Sequence, residues 1–306
     1  MSLVVNTNIA SMNAQRSLSS SGRELQTAME RLSTGKKINS AADDAAGFSI
    51  AESMTAQIRG LSMASKNASD AIGLLKVVEN ATNDVTDMLQ RIRELAVQAQ
   101  SGTNSTGDIA NLQQEANALI DEIDRVSENT KYNGVSYIGS EKGIKNIQVG
   151  YNDGDRIAIE TYDVGADKIG VMVLDQSTSS ATDKVLVSLK SGSNYLDISQ
   201  TLTAAVTTSG SEADKIPGAL EVITGAIEQV AGYKASWGAG QNRLEYTVSN
   251  LMNVVEFTSA ARSRIEDADF AVEAARLAKN QVLQQTGAAM LAQANASPQL
   301  ALSLLA

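Results

Sequence analysis

The sequence predicts a mainly α-helical protein: a long antiparallel coiled-coil rod formed by the N- and C-terminal segments, with a β-hairpin and a small central β-rich insert. Three observations indicate this fold class. Only 4% of the 306 residues are aromatic and two are proline, a composition that favours long helices with thin seams. Apolar residues recur every three or four positions on both sides of the middle. Within the middle this spacing changes to two, as in strands.

The first half of the chain has the pattern of two long helices. The first seam changes register near Val78 and comprises Ile58, Leu61, Ala68, Ile72, Leu75, Val85, Met88, Ile92, Leu95 and Ala99. A turn-rich segment, 102–107, follows, and Asp108 is the expected N-cap of the next helix. That helix has a heptad seam of Ile109, Leu112, Ala116, Leu119, Ile123 and Val126. Because the connection is short, the two helices should be antiparallel.

A third long helix is expected after Pro217, which suits a first helical turn. Its seam comprises Leu220, Ile223, Ile227, Val230, Trp237, Leu244, Val248, Leu251, Val255 and Ile265. A helix with one apolar stripe must bury that stripe against a partner. We therefore expect the sequence-distant halves to pack side by side.

The middle predicts a β-hairpin followed by a surface-exposed insert. Ile147, Val149 and Tyr151 alternate with polar residues, 152–154 reads Asn-Asp-Gly, and apolar alternation resumes at Ile157. Short strands are expected at 171–174 and 185–189. The predicted organisation is an N-terminal inner-core segment 1–42, an N-terminal rod 43–165, an insert 166–216, a C-terminal rod helix 217–265 and a C-terminal inner-core segment 266–306.

Both ends of the chain lack charge. Residues 1–15 and 281–306 contain no charged side chain, although 20% of the chain is charged. Such ends are not solvated tails, and isolated helices of this kind are marginal in water. We therefore expect both ends to be mobile in the monomer and to become ordered on assembly. The candidate polymerisation residues are Val4, Ile9, Met12, Leu18, Leu25, Leu32, Val282, Leu283, Met290, Leu291, Leu302 and Leu305.

The composition disfavours several classes of protein. The absence of histidine and cysteine removes the commonest general base, the commonest zinc ligands and every disulfide. A net charge of −10 without a local basic patch argues against nucleic-acid binding. The most apolar stretch, 281–306, is interrupted by polar residues, so we expect no membrane insertion. We expect no enzyme, no cofactor and no metal site.

Several long motifs resemble bacterial flagellin. They are NTNIAS (6–11), ERLSTGKKINSAADDAAGFSIAE (30–52), QRIRELAVQ (90–98), IDEIDRVSENTKYNGV (120–135), IQVGYNDGD (147–155), SRIEDADFAVEAARLAKNQVLQQTGAAMLAQAN (263–295) and LSLLA (302–306). They occur in the order of that family. The middle of the chain shows no comparable resemblance.

The resemblance implies a structural subunit that self-assembles into the extracellular flagellar filament for swimming motility. It also implies export of the unfolded chain by the flagellar type III system, which agrees with a start, MSLVVNTNIA, that does not look like a secretory signal peptide. The expected partners are further copies of the chain, the export chaperone and export apparatus, and the filament cap and hook-junction proteins. A hook-filament junction protein and a secreted coiled-coil translocator or tip protein remain alternatives.

Two more sites follow from the resemblance. The innate-immune Toll-like receptor for flagellin binds related chains at the positions of Arg91, Leu95 and Glu115, so the candidate recognition residues are Gln90, Arg91, Leu95, Gln98 and Glu115. These residues also fit a solvated helix face with an i,i+3 ion pair, and Leu95 also falls on the heptad seam. The hairpin residues expected to adjust when the filament changes shape are Val149, Tyr151, Asp153 and Ile157.

Overall fold

The computed structural model describes residues 8–139, 143–174, 184–199, 203–204, 215–216 and 218–303. These residues are mainly helical, which confirms the predicted fold class. The helices are α1 (Ile9–Thr34), α2 (Ala45–Ala99), α3 (Thr106–Asn129), α4 (Ala219–Glu266) and α5 (Phe270–Ser303). Pro217, the expected helix start, lies outside the described residues, and α4 begins at Ala219.

The strands form antiparallel pairs between α3 and α4. The pairs are β1 (Lys131–Tyr132) with β2 (Val135–Ser136), β3 (Gly143–Gln148) with β4 (Arg156–Thr161), β5 (Gly170–Leu174) with β6 (Lys184–Ser188), β7 (Lys190–Ser191) with β8 (Asn194–Tyr195), and β9 (Thr203–Ala204) with β10 (Lys215–Ile216). The strands predicted near 171 and 185 are therefore present, and they pair with each other as β5 and β6. The β1–β2 hairpin was not predicted, although Asn133 and Gly134 both adopt the positive φ that a two-residue turn requires.

The chain divides into two compact units. The terminal unit comprises Met1–Arg59 and Asn253–Ala306, and the central unit comprises Gly60–Met252. The predicted boundary at 42/43 falls between α1 and α2, and the one at 265/266 falls one residue before the end of α4, whereas the unit boundaries fall well inside α2 and α4.

One hydrophobic core holds the central unit together. It joins the apolar stripes of α2, α3 and α4, and Leu75, Val85, Ile92, Ala116, Ile123, Ile223, Val230 and Leu244 are fully buried in it. All of these positions belong to the predicted seams, which are confirmed there. Ile58, Val255 and Ile265, predicted in the same seams, belong to the terminal unit and are only partly buried. Each helix buries one stripe and exposes its polar face, so none of the three helices would be stable without the other two.

The first turn of α3 is fixed by a reciprocal pair of hydrogen bonds. The Ser105 hydroxyl accepts from the Asp108 backbone N–H at 3.2 Å, and the Asp108 carboxylate accepts from the Ser105 N–H at 3.0 Å. The N-cap is therefore Ser105, and the prediction of Asp108 was wrong by three positions. Hydrogen bonds from the Ser105 hydroxyl and backbone N–H hold the pKa of Asp108 below its usual value.

The predicted hairpin is confirmed as β3 and β4. Ile147 pairs with Ile157, the turn contains Gly154 at φ 97°, and Ile157 and Ile159 point into the core. Tyr151, predicted as a strand residue, instead belongs to the turn and is half exposed. Its position follows from the turn, which begins after Gln148 and leaves no ladder partner for Tyr151.

An aromatic cluster attaches the hairpin to α4. Trp237 is 1% exposed, and its indole N–H donates to the Glu160 carbonyl oxygen of β4 at 2.9 Å. Tyr162, just after β4, stacks on Tyr233 of α4 with ring centroids 4.1 Å apart. Both tyrosine rings lie within 6.2 Å of the Trp237 ring. Trp237 thus supplies a large buried area and satisfies a strand carbonyl group at the same time.

The segment predicted as a surface-exposed insert is partly buried. Ile169, Leu189 and Ile198 have no exposed surface and belong to the same core as the helices. The Gln113 side chain of α3 accepts from the Ile198 N–H and donates to the Leu196 carbonyl, both at 2.9 Å. Ile169 and residues 189–198 of this segment are therefore packed on the rod helices.

An ion pair reinforces that attachment. The Lys190 ammonium donates to Asp121 at 2.7 Å and to Asp124 at 3.0 Å, and the Tyr195 hydroxyl donates to Asp121 at 2.8 Å. The two carboxylates raise the pKa of Lys190 well above its usual value, and hydrogen bonds from Lys190 and Tyr195 lower the pKa of Asp121.

Replacement of Trp237 tests the aromatic cluster. We expect Trp237→Ala to reduce the free energy of unfolding by about 3–5 kcal/mol, because it creates a large cavity and leaves the Glu160 carbonyl unpaired. Urea denaturation followed by far-ultraviolet circular dichroism measures the loss. The matched control is Tyr246→Ala on the same helix, since Tyr246 is 79% exposed and its removal should change stability by less than about 0.5 kcal/mol. Equal midpoints for the two variants would contradict the anchoring role of Trp237.

Candidate functional site

The first candidate surface is the pair formed by α1 and α5, which pack against each other in the terminal unit. The partly or fully buried seam positions are Ser11, Ala14, Leu18, Ser21, Leu25, Ala28 and Leu32 on α1, and Glu273, Leu277, Asn280, Gly287, Leu291 and Ala294 on α5. Most are small or polar. A Cβ added at Gly287 would lie 3.4 Å from the Leu18 side chain, so glycine allows a close approach there. The α1–α5 seam is therefore thin, and it buries little apolar area.

The structure separates the candidate polymerisation residues into three groups. Leu18, Leu25, Leu32 and Leu291 are half-buried in the α1–α5 seam. Ile9, Met12, Val282, Leu283 and Met290 are exposed, with 42–65% of each residue open to solvent. Val4 and Leu305 lie outside the described residues, as does the side chain of Leu302. Exposed apolar side chains that were not predicted include Met29, Phe257, Phe270 and Val272. Both terminal helices thus present apolar side chains outward.

Backbone and side-chain hydrogen bonds fix the pairing of α1 with α5. Asn8, the N-cap of α1, accepts from the Ser11 N–H at 3.0 Å and donates to the Ala294 carbonyl at 2.7 Å. The Ser11 hydroxyl donates to the Asn295 side chain at 2.7 Å. Sequence reasoning assigned Asn8 no role, although asparagine directly before a helix is a capping signal.

Backbone hydrogen bonds also join the segment that follows α1 to the end of α4 and the residues just after it. Gly35 ends α1 in the left-handed conformation, with φ 71°, and its carbonyl accepts from the Ala268 N–H at 2.9 Å. The Lys37 N–H donates to the Glu266 carbonyl at 2.6 Å. A residue with a Cβ would be strained at Gly35, so glycine is required for this junction.

The two units differ in charge. The terminal unit contains ten basic and ten acidic residues, and the central unit contains 15 basic and 25 acidic residues. The whole net charge of −10 therefore belongs to the central unit. Two terminal units, which have no net charge, should repel each other little, whereas two central units, each with a net charge of −10, should repel each other more strongly.

The second candidate surface is the recognition face on α2 and α3. The Arg91 guanidinium donates to Glu115 from Nε at 3.0 Å and from Nη2 at 2.8 Å, and from Nη1 to Glu94 at 3.0 Å. These hydrogen bonds, with Glu115 first, raise the pKa of Arg91. Gln90 and Gln98 are exposed on the same helix. Four of the five candidate recognition residues are therefore exposed, and two of them, Arg91 and Glu115, are in direct contact.

Leu95 is the exception on this surface. As a candidate recognition residue it was expected to be exposed, and this expectation is wrong because Leu95 has no exposed surface. It occupies a seam position of α2 and belongs to the central core. The exposed apolar side chain near it on α2 is Val97, which is 56% exposed. Leu95 can therefore affect this face only by holding α2 in place.

The third candidate surface is the tip of the β3–β4 hairpin. A Cβ added at Gly60 of α2 would lie 2.8 Å from the Tyr151 Cβ, so the tip approaches the helix closely. The Asn67 side chain donates to the Gln148 carbonyl at 3.3 Å. Asp153 is almost fully exposed and pairs with Arg156 at 2.9 Å. Val149 is half-buried and Ile157 is buried, so the hairpin has one face on the rod and one in solvent.

Two further kinds of feature bear on function, a metal-holding cluster and a membrane span. The described residues contain no group of three or more acidic side chains that could hold a metal ion. No helix within them is long and apolar enough to cross a bilayer.

Comparisons with known proteins agree on one family. Residues 5–139 match the bacterial flagellin N-terminal helical region, and residues 220–305 match the bacterial flagellin C-terminal helical region. The flagellin of Bacillus subtilis is 41% identical over 313 residues, covering 98% of this chain and 99% of that protein. The flagellin of Xenorhabdus nematophila is 40% identical over 312 residues and covers all of both chains.

Among solved structures, the flagellin of Bacillus cereus aligns with 61% of this chain and 88% of its own at 22% identity and a TM-score of 0.42. The assignment depends on the sequence matches, which span both ends and the full length. The chain therefore belongs to the bacterial flagellin family, whose members are structural proteins of the extracellular flagellar filament and not enzymes.

Proposed function

We propose that copies of this chain self-assemble into the flagellar filament through the outward faces of α1 and α5. The observation that carries this proposal is the row of exposed apolar side chains on both helices, which the thin α1–α5 seam leaves without a partner. Burial of Ile9, Met12, Val282, Leu283 and Met290 would contribute on the order of 5 kcal/mol, since each is already partly covered.

Charge supports the same proposal. The terminal unit is neutral, so copies can approach through it without net repulsion, whereas the acidic central unit keeps unassembled chains apart and soluble. The sequence ends carry no charged side chains, which fits burial in an assembly. The full-length matches to flagellins favour a filament subunit over a hook-filament junction or tip protein.

The route to the filament is part of the proposal. By analogy with flagellins, the chain is exported unfolded by the flagellar type III system with an export chaperone, and it meets the filament cap and hook-junction proteins at the growing and anchored ends. Its terminal helices suit this route because a thin seam costs little to open.

Removal of 281–306 tests assembly. We expect the shortened chain to remain helical and soluble but to form no filaments, because the central core is intact while the exposed Val282, Leu283 and Met290 are lost. Circular dichroism measures the helix content, and electron microscopy after salting-out detects filaments. A milder variant, Val282→Asn with Met290→Ser, should raise the critical concentration, whereas Tyr246→Ser, at a still more exposed position in the central unit, should not. Normal filaments from the shortened chain would refute the proposal.

We also propose that the monomer, but not the filament, is recognised by the innate-immune flagellin receptor through the Arg91–Glu115 surface. Arg91 suits this role because a planar guanidinium forms several directed hydrogen bonds and anchors interfaces well. Its three hydrogen bonds to Glu94 and Glu115 orient it in advance, so little side-chain entropy remains to be lost on binding. The same surface should pack against a neighbouring copy in the filament.

Arg91→Ala should weaken receptor activation by monomer at least about tenfold, which corresponds to about 1.4 kcal/mol, and should also impair assembly. The matched control is Arg125→Ala, because Arg125 is also exposed and pairs with Glu122 three residues before it on α3. A dose–response assay with receptor-bearing cells compares the two. If the folded Arg91→Ala monomer activates the receptor at the wild-type dose, the receptor binds another surface.

We propose finally that the hairpin tip adjusts between neighbouring copies when the filament changes its helical shape. The substitution Gly60→Ala should alter the waveform of filaments, because the added Cβ would displace Tyr151. Gly73→Ala on the same helix is the control, since its Cβ would meet the Tyr132 hydroxyl at an ordinary 3.5 Å. Dark-field microscopy measures waveform. Unchanged waveforms in filaments of both Gly60→Ala and Tyr151→Ala would contradict the proposed role of the hairpin tip.

A further inference from the structure

A polar cleft lies between α1 and α5, about 330 Å³ in volume. We call it the basic cleft, because Arg23, Arg31, Arg276 and Lys279 line it with only two carboxylates, those of Glu24 and Glu273. Glu273 is 4% exposed and already accepts from Arg276 at 2.8 Å and from Arg31 at 3.4 Å. The cleft therefore has a surplus of two positive charges.

Two buried polar atoms in the basic cleft have no partner. They are the Arg31 Nε and the Asn280 Oδ1, and Asn280 is only 4% exposed. Buried polar groups are nearly always hydrogen-bonded, because an unpaired group costs about 1–3 kcal/mol. A carboxylate in the cleft would accept from the Arg31 Nε–H once the side chains that now cover this atom shift. It would also accept from the Asn280 amide after rotation of that amide by about a half-turn, which exchanges its N and O positions. The cleft thus has the donors for one more carboxylate.

The charge of the terminal unit indicates where that carboxylate comes from. Helices α1 and α5 together carry five basic and three acidic residues, whereas the rest of the unit, 35–59 and 253–269, carries five basic and seven acidic residues. One part is thus positive by two and the other negative by two. Such a distribution favours a contact in which the positive part of one copy meets the negative part of the next, and a contact of this head-to-tail type continues into a filament.

Two carboxylates of the negative part are available. Glu52 and Glu256 are exposed and form no ion pair with other described residues, whereas Glu266 is engaged by Lys36 and Arg262. We propose that the basic cleft binds the carboxylate of Glu52 or Glu256 from a second copy of this chain, with Lys279 and Arg31 as its ion-pairing partners. This inference rests on the proposed self-assembly and adds the contact through which it proceeds.

Carbodiimide coupling tests the contact directly. This reagent joins a lysine amine and a carboxylate that touch, forming an amide while the carbodiimide takes up the water lost. Filaments are grown from equal parts of unlabelled and nitrogen-15-labelled chain, coupled, digested and analysed by mass spectrometry. We expect peptides that join Lys279 to Glu52 or Glu256 with one labelled and one unlabelled partner. The same peptides should be absent from unassembled chain.

Charge-reversal variants supply the second measurement. Lys279→Glu should raise the critical concentration for assembly at least about tenfold, and Lys279→Arg should assemble normally while losing the cross-link. Lys37→Glu is the matched control, since Lys37 is an exposed lysine in the negative part, and its reversal should not raise that concentration. Filaments in which Lys279 couples only within one copy, or not at all, would overturn the inference while leaving self-assembly intact. A wild-type chain that forms no filaments would overturn both.

Discussion

The burial of one apolar stripe from each of three long helices is the constraint on which the central unit depends. Each of α2, α3 and α4 has one narrow apolar stripe and would not be stable alone. The three stripes share one core. The same core accepts Ile157 and Ile159 from the hairpin and Leu189 and Ile198 from the segment beyond it. Every exposed feature of this unit is therefore positioned by helix packing, including the Arg91 surface and the hairpin tip.

The terminal unit follows the opposite design. Its α1–α5 seam combines five leucines with a larger number of small and polar side chains, and further large apolar side chains face outward. A thin seam gives limited stability to the isolated chain, while the outward apolar residues gain a partner only when copies meet. The absence of net charge in this unit removes an electrostatic barrier to that meeting. Limited packing within the subunit is thus what the proposed assembly through these helices requires.

Polar contacts supply specificity that the apolar contacts lack. Asn8, Ser11 and Glu273 set the register of α1 against α5 with directed hydrogen bonds, which leucine contacts could not do because they are non-directional. On the central unit, Arg91 connects α2 to α3 through Glu115 at the surface. Its ion pairs add little stability, being half exposed, but they hold the guanidinium in one orientation.

The sequence by itself determined the helix seams, the β3–β4 hairpin and the neutral, uncharged ends, because periodicity and composition are local properties that survive in any packing. Its motifs also identified the family. It could not decide between the two roles open to Leu95, seam or exposed face, and only the tertiary structure buried it. The structure alone also divided the candidate polymerisation residues between the α1–α5 seam and solvent, and brought Arg31 beside Asn280. These outcomes depend on which faces of sequence-distant helices meet, and an amphipathic pattern specifies that a stripe is buried without specifying its partner.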